Sequence, residues 1–218
     1  MKEIDEINNN LTESITILKI VDVIPLKSTT GIRWKSMSAN KKHLSKDFNH
    51  RCCYCGDKDE FQERYRNYQV EHFAPKSIFP FLKYNYDNLL YCCPYCNRAK
   101  SNKWPSVSPS LNVVNDQGFV NPCNEEYYTH VARKSNGKII PLTALGRYMY
   151  NEIKLYLNIH EYSYNIEKFT MLSNRIEALL NGDEISEVQR KELEYLDYKV
   201  LKKMKEYYSL YDDEQSQN

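Results

Sequence analysis

Along the last third of the chain, apolar residues recur at intervals of three and four. Leu193, Leu196, Val200, Met204 and Tyr207 fall on one stripe and predict an amphipathic helix over about 186–210. TALGRYMYNEIKLYLN predicts a helix over about 143–158 with Thr143 as N-cap, and a third helix follows over about 162–180. Asn181-Gly182 breaks the final pair, and the tail DDEQSQN is expected to fray. Upstream, YYTHVARKSNGKIIPLT reads as a β-hairpin with Asn136-Gly137 at the turn. The stretch 106–123 is polar and loop-like, with GFVNPC as a short extended piece.

Nearer the N-terminus the apolar positions come in short bursts. Residues 11–25 read as a short helix or an extended lead-in ending at Pro25, followed by a turn-like linker, KSTTG, at 27–31. Met37, His43/Leu44 and Phe48 form a broken apolar stripe, which predicts a helix from Trp34 to Phe48. RNYQVEHFAP, at 66–75, reads as a short strand ending at a proline. DNLLYCCPYCNRAKSNK reads as a strand or turn into a knuckle, then a helix starting near Asn97. The pattern is that of an α+β protein in four parts: a lead-in (1–30), a core (31–105), a loop and hairpin (106–142) and a helical region (143–218).

Composition narrows the class. Of the 218 residues, 41% are hydrophobic and 27% charged, as in a folded soluble protein rather than a disordered one. No apolar run approaches the roughly 20 residues of a membrane span. MKEIDEINNN is too polar for a secretory signal, so a cytoplasmic location and no membrane association are expected. The 19 tyrosines are spread along the chain as packing and rim residues. The net charge of +1 hides an asymmetry: residues 31–105 hold 14 Lys and Arg against 7 Asp and Glu, between acidic flanks. A basic middle suits a polyanionic partner, although charge alone fits a solvated face equally well.

The seven cysteines change the picture most. In a reducing compartment they are not a disulfide framework, and six lie in two clusters, RCCYCG and YCCPYCN. Only Cys52/Cys55 and Cys93/Cys96 have the C-x2-C spacing that aims two thiolates at one tetrahedral ion. The expectation is a closed four-cysteine zinc site, a staple with no open position for catalysis. Cys53 and Cys92 are expected to fill small apolar gaps, with Cys92 as a C-x3-C ligand the competing register; Cys123 is read as structural.

Between and after the knuckles lie Glu71-His72-Phe73-Ala74-Pro75, then Asn88, then Asn97-Arg98-Ala99-Lys100 directly behind the last cysteine. In this order, over about Arg51–Trp104, the chain resembles the HNH endonucleases, whose fold is the ββα-metal finger. The resemblance implies that His72 is the general base, that Glu71 and Asn97 hold a catalytic Mg²⁺ or Mn²⁺, and that Asn88 braces the loop behind the histidine. The chemistry agrees: a neutral imidazole can activate water, and hard oxygen donors suit Mg²⁺. Glu71 stands where Asp is frequent, and its extra methylene is expected to move the ion slightly or insert a water. Asn97 also suits a helix N-cap, although capping would not call for Glu71-His72 upstream. Arg98, Lys100 and Lys103, with Lys76, are expected to bind phosphates; Trp104 is read as a helix-end anchor. His43, His50, His130 and His160 are read as packed or hydrogen-bonded histidines.

A longer stretch, to about residue 160, is similar to the PtuB-type HNH subunits of Septu anti-phage systems, also found beside some retrons. That resemblance implies a defence nuclease working with an ATPase of the ABC/SMC-like class. The substrate it implies is nucleic acid, with DNA favoured over RNA and no sequence preference legible. The alternative is a zinc-stapled nucleic-acid- or protein-binding module without catalysis. Packing is favoured for the helices over 143–180; docking or packing is left open for 186–210.

Overall fold

The computed structural model describes residues 2–12, 15–28, 36–60, 64–182 and 185–217. The chain runs through α1 (Lys2–Thr12), β1 (Ile17–Leu18) and α2 (Met37–Asp47) into β2 (Gln69–His72), β3 (Leu89–Cys92) and α3 (Pro94–Lys100). β4 (Val113–Val114) and β5 (Gln117–Gly118) form a small hairpin, followed by α4 (Tyr127–His130), β6 (Val131–Lys134) and β7 (Ile139–Pro141). Three helices complete the fold: α5 (Ala144–Glu152), α6 (Asn158–Leu180) and α7 (Glu187–Gln217). This is a mixed helix-and-strand protein, as the sequence indicates. The expected linker over 27–31 and helix start at Trp34 fall largely on 29–35, outside the described residues.

β2 and β3 pair antiparallel, with Gln69 opposite Cys92 and His72 opposite Leu89. α3 then packs back on β2, closing a ββα unit, with α2 against both strands. The expected hairpin forms as β6 and β7, with Gly137 at φ +95° in the turn, and β1 adds a third strand on the β6 edge. One continuous apolar core joins the knuckles, β2, β3 and α2 to Phe119, Tyr127, Val131 and Met149. Residues 106–155 therefore complete the core of the finger.

Several boundaries differ from the sequence expectation. α3 starts at Pro94, not near Asn97, because the Cys93 thiol caps it: the Cys96 N–H donates to Cys93 Sγ at 3.4 Å, and proline suits the first helical position. The helix expected over 143–158 keeps its Thr143 cap but ends at Glu152. Leu155 N–H bonds the Tyr150 carbonyl and Lys154 N–H the Asn151 carbonyl, with Lys154 at φ +59°, a Schellman stop made without glycine. The polar start is helical from Lys2; Ile4 and Ile7 sit against Phe169, Ile176, Leu193 and Leu196 of α6 and α7. The described tail residues, 212–217, are helical rather than frayed. Tyr211 is buried against Ile159 and Ile166, which holds α7 helical to Gln217. α6 and α7 pack along their lengths through the predicted stripe. No described helix is long and apolar enough to cross a membrane.

Candidate active site and metal centre

The two knuckles bring Cys52, Cys55, Cys93 and Cys96 together, all buried, with their sulfurs within 4.8 Å of one another. Cys55 Sγ and Cys93 Sγ are 3.8 Å apart. Tetrahedral zinc at roughly 2.3 Å from each thiolate sets an edge of about 3.8 Å, so the donor set and its size fit that ion. Cys92 Sγ is 3.8 Å from Cys52 Sγ, but it belongs with Cys52 and Cys53 in a separate group of three, not with the four.

The sequence reading did not place His160 and Asp57 at this centre. His160, in the first turn of α6, points Nε2 at Cys96 Sγ (4.0 Å) and shares a 2.5 Å hydrogen bond between Nδ1 and Asp57 Oδ2. Burial works against its charged form, but the Asp57 carboxylate outweighs it and the His160 pKa is raised. The Arg133 guanidinium donates to the His160, Gly137 and Cys55 carbonyls, and lies 3.4 Å from Asp57. The cage is thereby tied to β6 and α6 by polar groups that orient its thiolates. The signal in sequence is only the pair of charged residues flanking the knuckles in space, over a hundred positions apart.

His72 ends β2 and is 6% exposed. Its Nε2 lies 3.0 Å from the Lys83 carbonyl, which can only accept; Nε2 therefore carries the proton and Nδ1 the lone pair. Burial lowers the His72 pKa to about 4, and the charges of Lys76, Lys100 and Lys83 push the same way. The imidazole is neutral at pH 7, as a general base must be. Behind it, Asn88 and Ala74 exchange two hydrogen bonds: Ala74 N–H to Asn88 Oδ1 (2.8 Å) and Asn88 Nδ2 to Ala74 O (2.9 Å). The Phe73 N–H also donates to the Asn88 carbonyl. These bonds tie the Phe73–Ala74 segment to Asn88.

The outward rows of β2 and α3 meet in pairs. Asn97 Nδ2 donates to Gln69 Oε1, leaving the Asn97 carbonyl oxygen free of that bond. One turn on, Lys100 Nζ is 2.7 Å from Glu71 Oε1 and 3.3 Å from the His72 carbonyl. Burial pushes the Glu71 carboxyl up, while Lys100 opposes the shift. This corrects one expectation: Lys100 is fully buried and cannot reach a surface phosphate. Its place three residues beyond Asn97 on a short helix turns it onto the strand instead. Lys103 pairs with Glu152 at 2.7 Å and is half-exposed. Arg98 is exposed, over the Tyr95 ring, and Lys76 is exposed beside the histidine. Trp104 anchors the end of α3 through the Ser108 carbonyl and the Phe73 and Phe79 rings.

A cleft of about 400 Å³ is lined by Glu71, His72, Lys76, Asn97, Arg98 and Asn102. A neutral base, oxygen donors and two cations thus share one open cleft, beside a finger fitted to hold a metal ion. A larger cavity, about 870 Å³, lies on the far side of the knuckle against Asp57, Arg133 and Glu167, and includes none of these groups.

Residues 52–103 match the family model of the HNH endonucleases. The match marks an HNH family-model domain over this segment. The HNH domain spans the four-cysteine cage, His72, Asn88 and Asn97, so the match covers the whole cleft. Over 69 residues the chain is 37% identical to the Septu protein PtuB of Bacillus thuringiensis, a stretch covering 30% of this chain. It covers 26% of PtuB, so about a quarter of that relative is represented. No solved structure matches the chain.

Proposed function

We propose that this chain is a metal-dependent endonuclease that hydrolyses phosphodiester bonds, with DNA its favoured substrate, and that it serves as the effector of an anti-phage complex. The observation that carries the reading is the His72 ring: neutral, lining the cleft, with Nε2–H tied to the Lys83 carbonyl and Nδ1 left unprotonated. His72 Nδ1 takes the proton from water as it attacks phosphorus. Asn88 holds the loop behind the ring so that the acceptor keeps its direction. A hard divalent ion, Mg²⁺ or Mn²⁺, on the Asn97 and Glu71 oxygens would neutralise charge on the phosphate and its leaving oxygen. Arg98 and Lys76 meet the phosphates beside the scissile bond. Zinc on Cys52, Cys55, Cys93 and Cys96 fixes the start of α3 and so the position of Asn97.

The likeness to PtuB supports a place in Septu-type defence, working in the cytoplasm with an ABC/SMC-like ATPase partner. The long α7 then serves either to close the helical core or to carry that partner. A second reading, a zinc-stapled binding module without catalysis, draws on the Lys100–Glu71 contact, which engages one of the two oxygen donors. Plasmid nicking with Mg²⁺ or Mn²⁺ decides between them, run with and without the product of the neighbouring gene. Cleavage abolished by His72→Ala is expected; cleavage unchanged by it rejects His72 as the base.

A further inference from the structure

The loop joining β2 to β3 carries an aromatic ring that the fold does not use. Phe81 is 66% exposed, yet it is the outermost of a row of packed rings. Phe73 meets Trp104 edge to face (5.3 Å, 89°), Trp104 meets Phe79 (6.1 Å, 78°), and Phe79 meets Phe81 (6.3 Å, 75°). Phe73 and Phe79 are buried, and the row ends in solvent at Phe81. Pro80 opens the one-turn 3-10 helix Pro80–Leu82, and the Ile78 and Phe79 N–H groups both bond the Pro75 carbonyl. The ring is therefore preorganised, and a planar ligand laid on it costs little further ordering.

Its surroundings say what that ligand is. Two residues on, the Lys83 carbonyl holds the His72 ring, so the loop that presents Phe81 also builds the catalytic cleft. Lys76 and Lys83 are exposed, and both charges bear on His72. Residues 72–86 contain these two lysines and no carboxylate. An exposed ring with a lysine on either side in sequence, on the loop whose Lys76 lines the cleft and whose Lys83 carbonyl holds His72, matches a base with its neighbouring phosphates. Paired bases in a duplex are stacked on one another and offer no face to such a ring.

We infer that Phe81 is a stacking platform for an unpaired nucleotide beside the scissile phosphate, with Lys76 and Lys83 on the flanking phosphates. This rests on the nuclease reading above and gives it a substrate class: single-stranded or locally unpaired nucleic acid.

The test uses the full zinc-loaded chain carrying His72→Ala, so that a labelled 12-nucleotide single strand and a duplex of the same length stay intact during anisotropy measurements. The expected result is tighter binding of the single strand. Phe81→Ala should weaken it on the order of tenfold. Phe81→Trp should restore it, with quenching of the added indole fluorescence on binding. Phe81→Leu should not restore it. Unchanged zinc content and circular dichroism in each variant exclude misfolding. Three outcomes overturn the inference: Phe81→Ala binding like its parent, duplex bound in preference, or Phe81→Leu binding as well as Phe81. The last marks a general apolar contact, as for a protein partner. Phe81-dependent binding by a wild-type chain that never cleaves defeats the nuclease reading alone. Cleavage with Phe81-insensitive binding defeats the platform alone.

Discussion

The Lys100 ammonium lies 2.7 Å from Glu71 Oε1, and both side chains are buried between α3 and β2. A buried ion pair is costly to break from one side, because the remaining charge has neither water nor partner. Lys100→Met is expected to lower the unfolding free energy by about 3 kcal/mol. Lys100→Met with Glu71→Gln should recover much of that loss, since neither residue then carries a stranded charge. Urea denaturation of the four proteins measures this. Wild-type stability in Lys100→Met would show that the pair contributes nothing to the fold.

The cage makes a prediction about register. Cys52, Cys55, Cys93 and Cys96 form the four-sulfur group, and Cys92 stands outside it. Metal analysis should find one zinc per chain in the wild type and in Cys92→Ala, and little in Cys55→Ser or Cys96→Ser. Because structural zinc binding is folding energy, a strong chelator should unfold the finger. Loss of zinc in Cys92→Ala with retention in Cys93→Ser would establish the C-x3-C register instead.

The ββα finger was legible because its signals are local. Paired C-x2-C spacings, an acid-His-x-x-Pro run and an asparagine behind the last cysteine lie within about fifty positions. Hairpin residues Asn136-Gly137 and the α7 stripe were readable for the same reason. The misread parts depend on contacts distant in sequence. Lys100 looks like a surface cation until α3 is laid on β2. His160 looks like an ordinary helix residue until α6 returns to the knuckle, where Asp57 and Cys96 wait. α1 looks too polar to pack until α6 and α7 offer a groove for Ile4 and Ile7. The Lys154 stop uses a left-handed backbone with no glycine to announce it.

In the proposed mechanism Asn88 acts through its two bonds to Ala74 rather than by touching substrate. Asn88→Ala removes both side-chain bonds to Ala74 and leaves a buried N–H and C=O without these partners. A loss of about 2 kcal/mol of stability is expected. If the brace positions His72, kcat on plasmid should fall by more than tenfold while KM changes little. Asn88→Asp keeps an acceptor for the Ala74 N–H but loses the donor, and should fall between. Equal losses in kcat and in folded fraction would reduce Asn88 to a purely structural residue.

The His72 pKa sets the direction of the pH dependence. Its folded value, about 4, lies below the ordinary imidazole value of 6.5 because burial disfavours the charged ring. Between pH 6.5 and 4 the unfolded chain binds a proton that the native chain refuses. This residue's contribution to stability is therefore complete above pH 6.5 and is lost as the pH falls through that window. The same shift keeps the ring neutral, so if His72 is the proposed base, the acid limb of kcat/KM should lie well below pH 6.5. Carbon-13-labelled histidine in the zinc-loaded chain gives a direct reading, with the resonance assigned by its absence in His72→Ala. A midpoint near 4 is expected. A midpoint near 6.5 would mean that the ring is open to water, and Nδ1 would then be half-protonated at pH 6.5 and still partly so at pH 7.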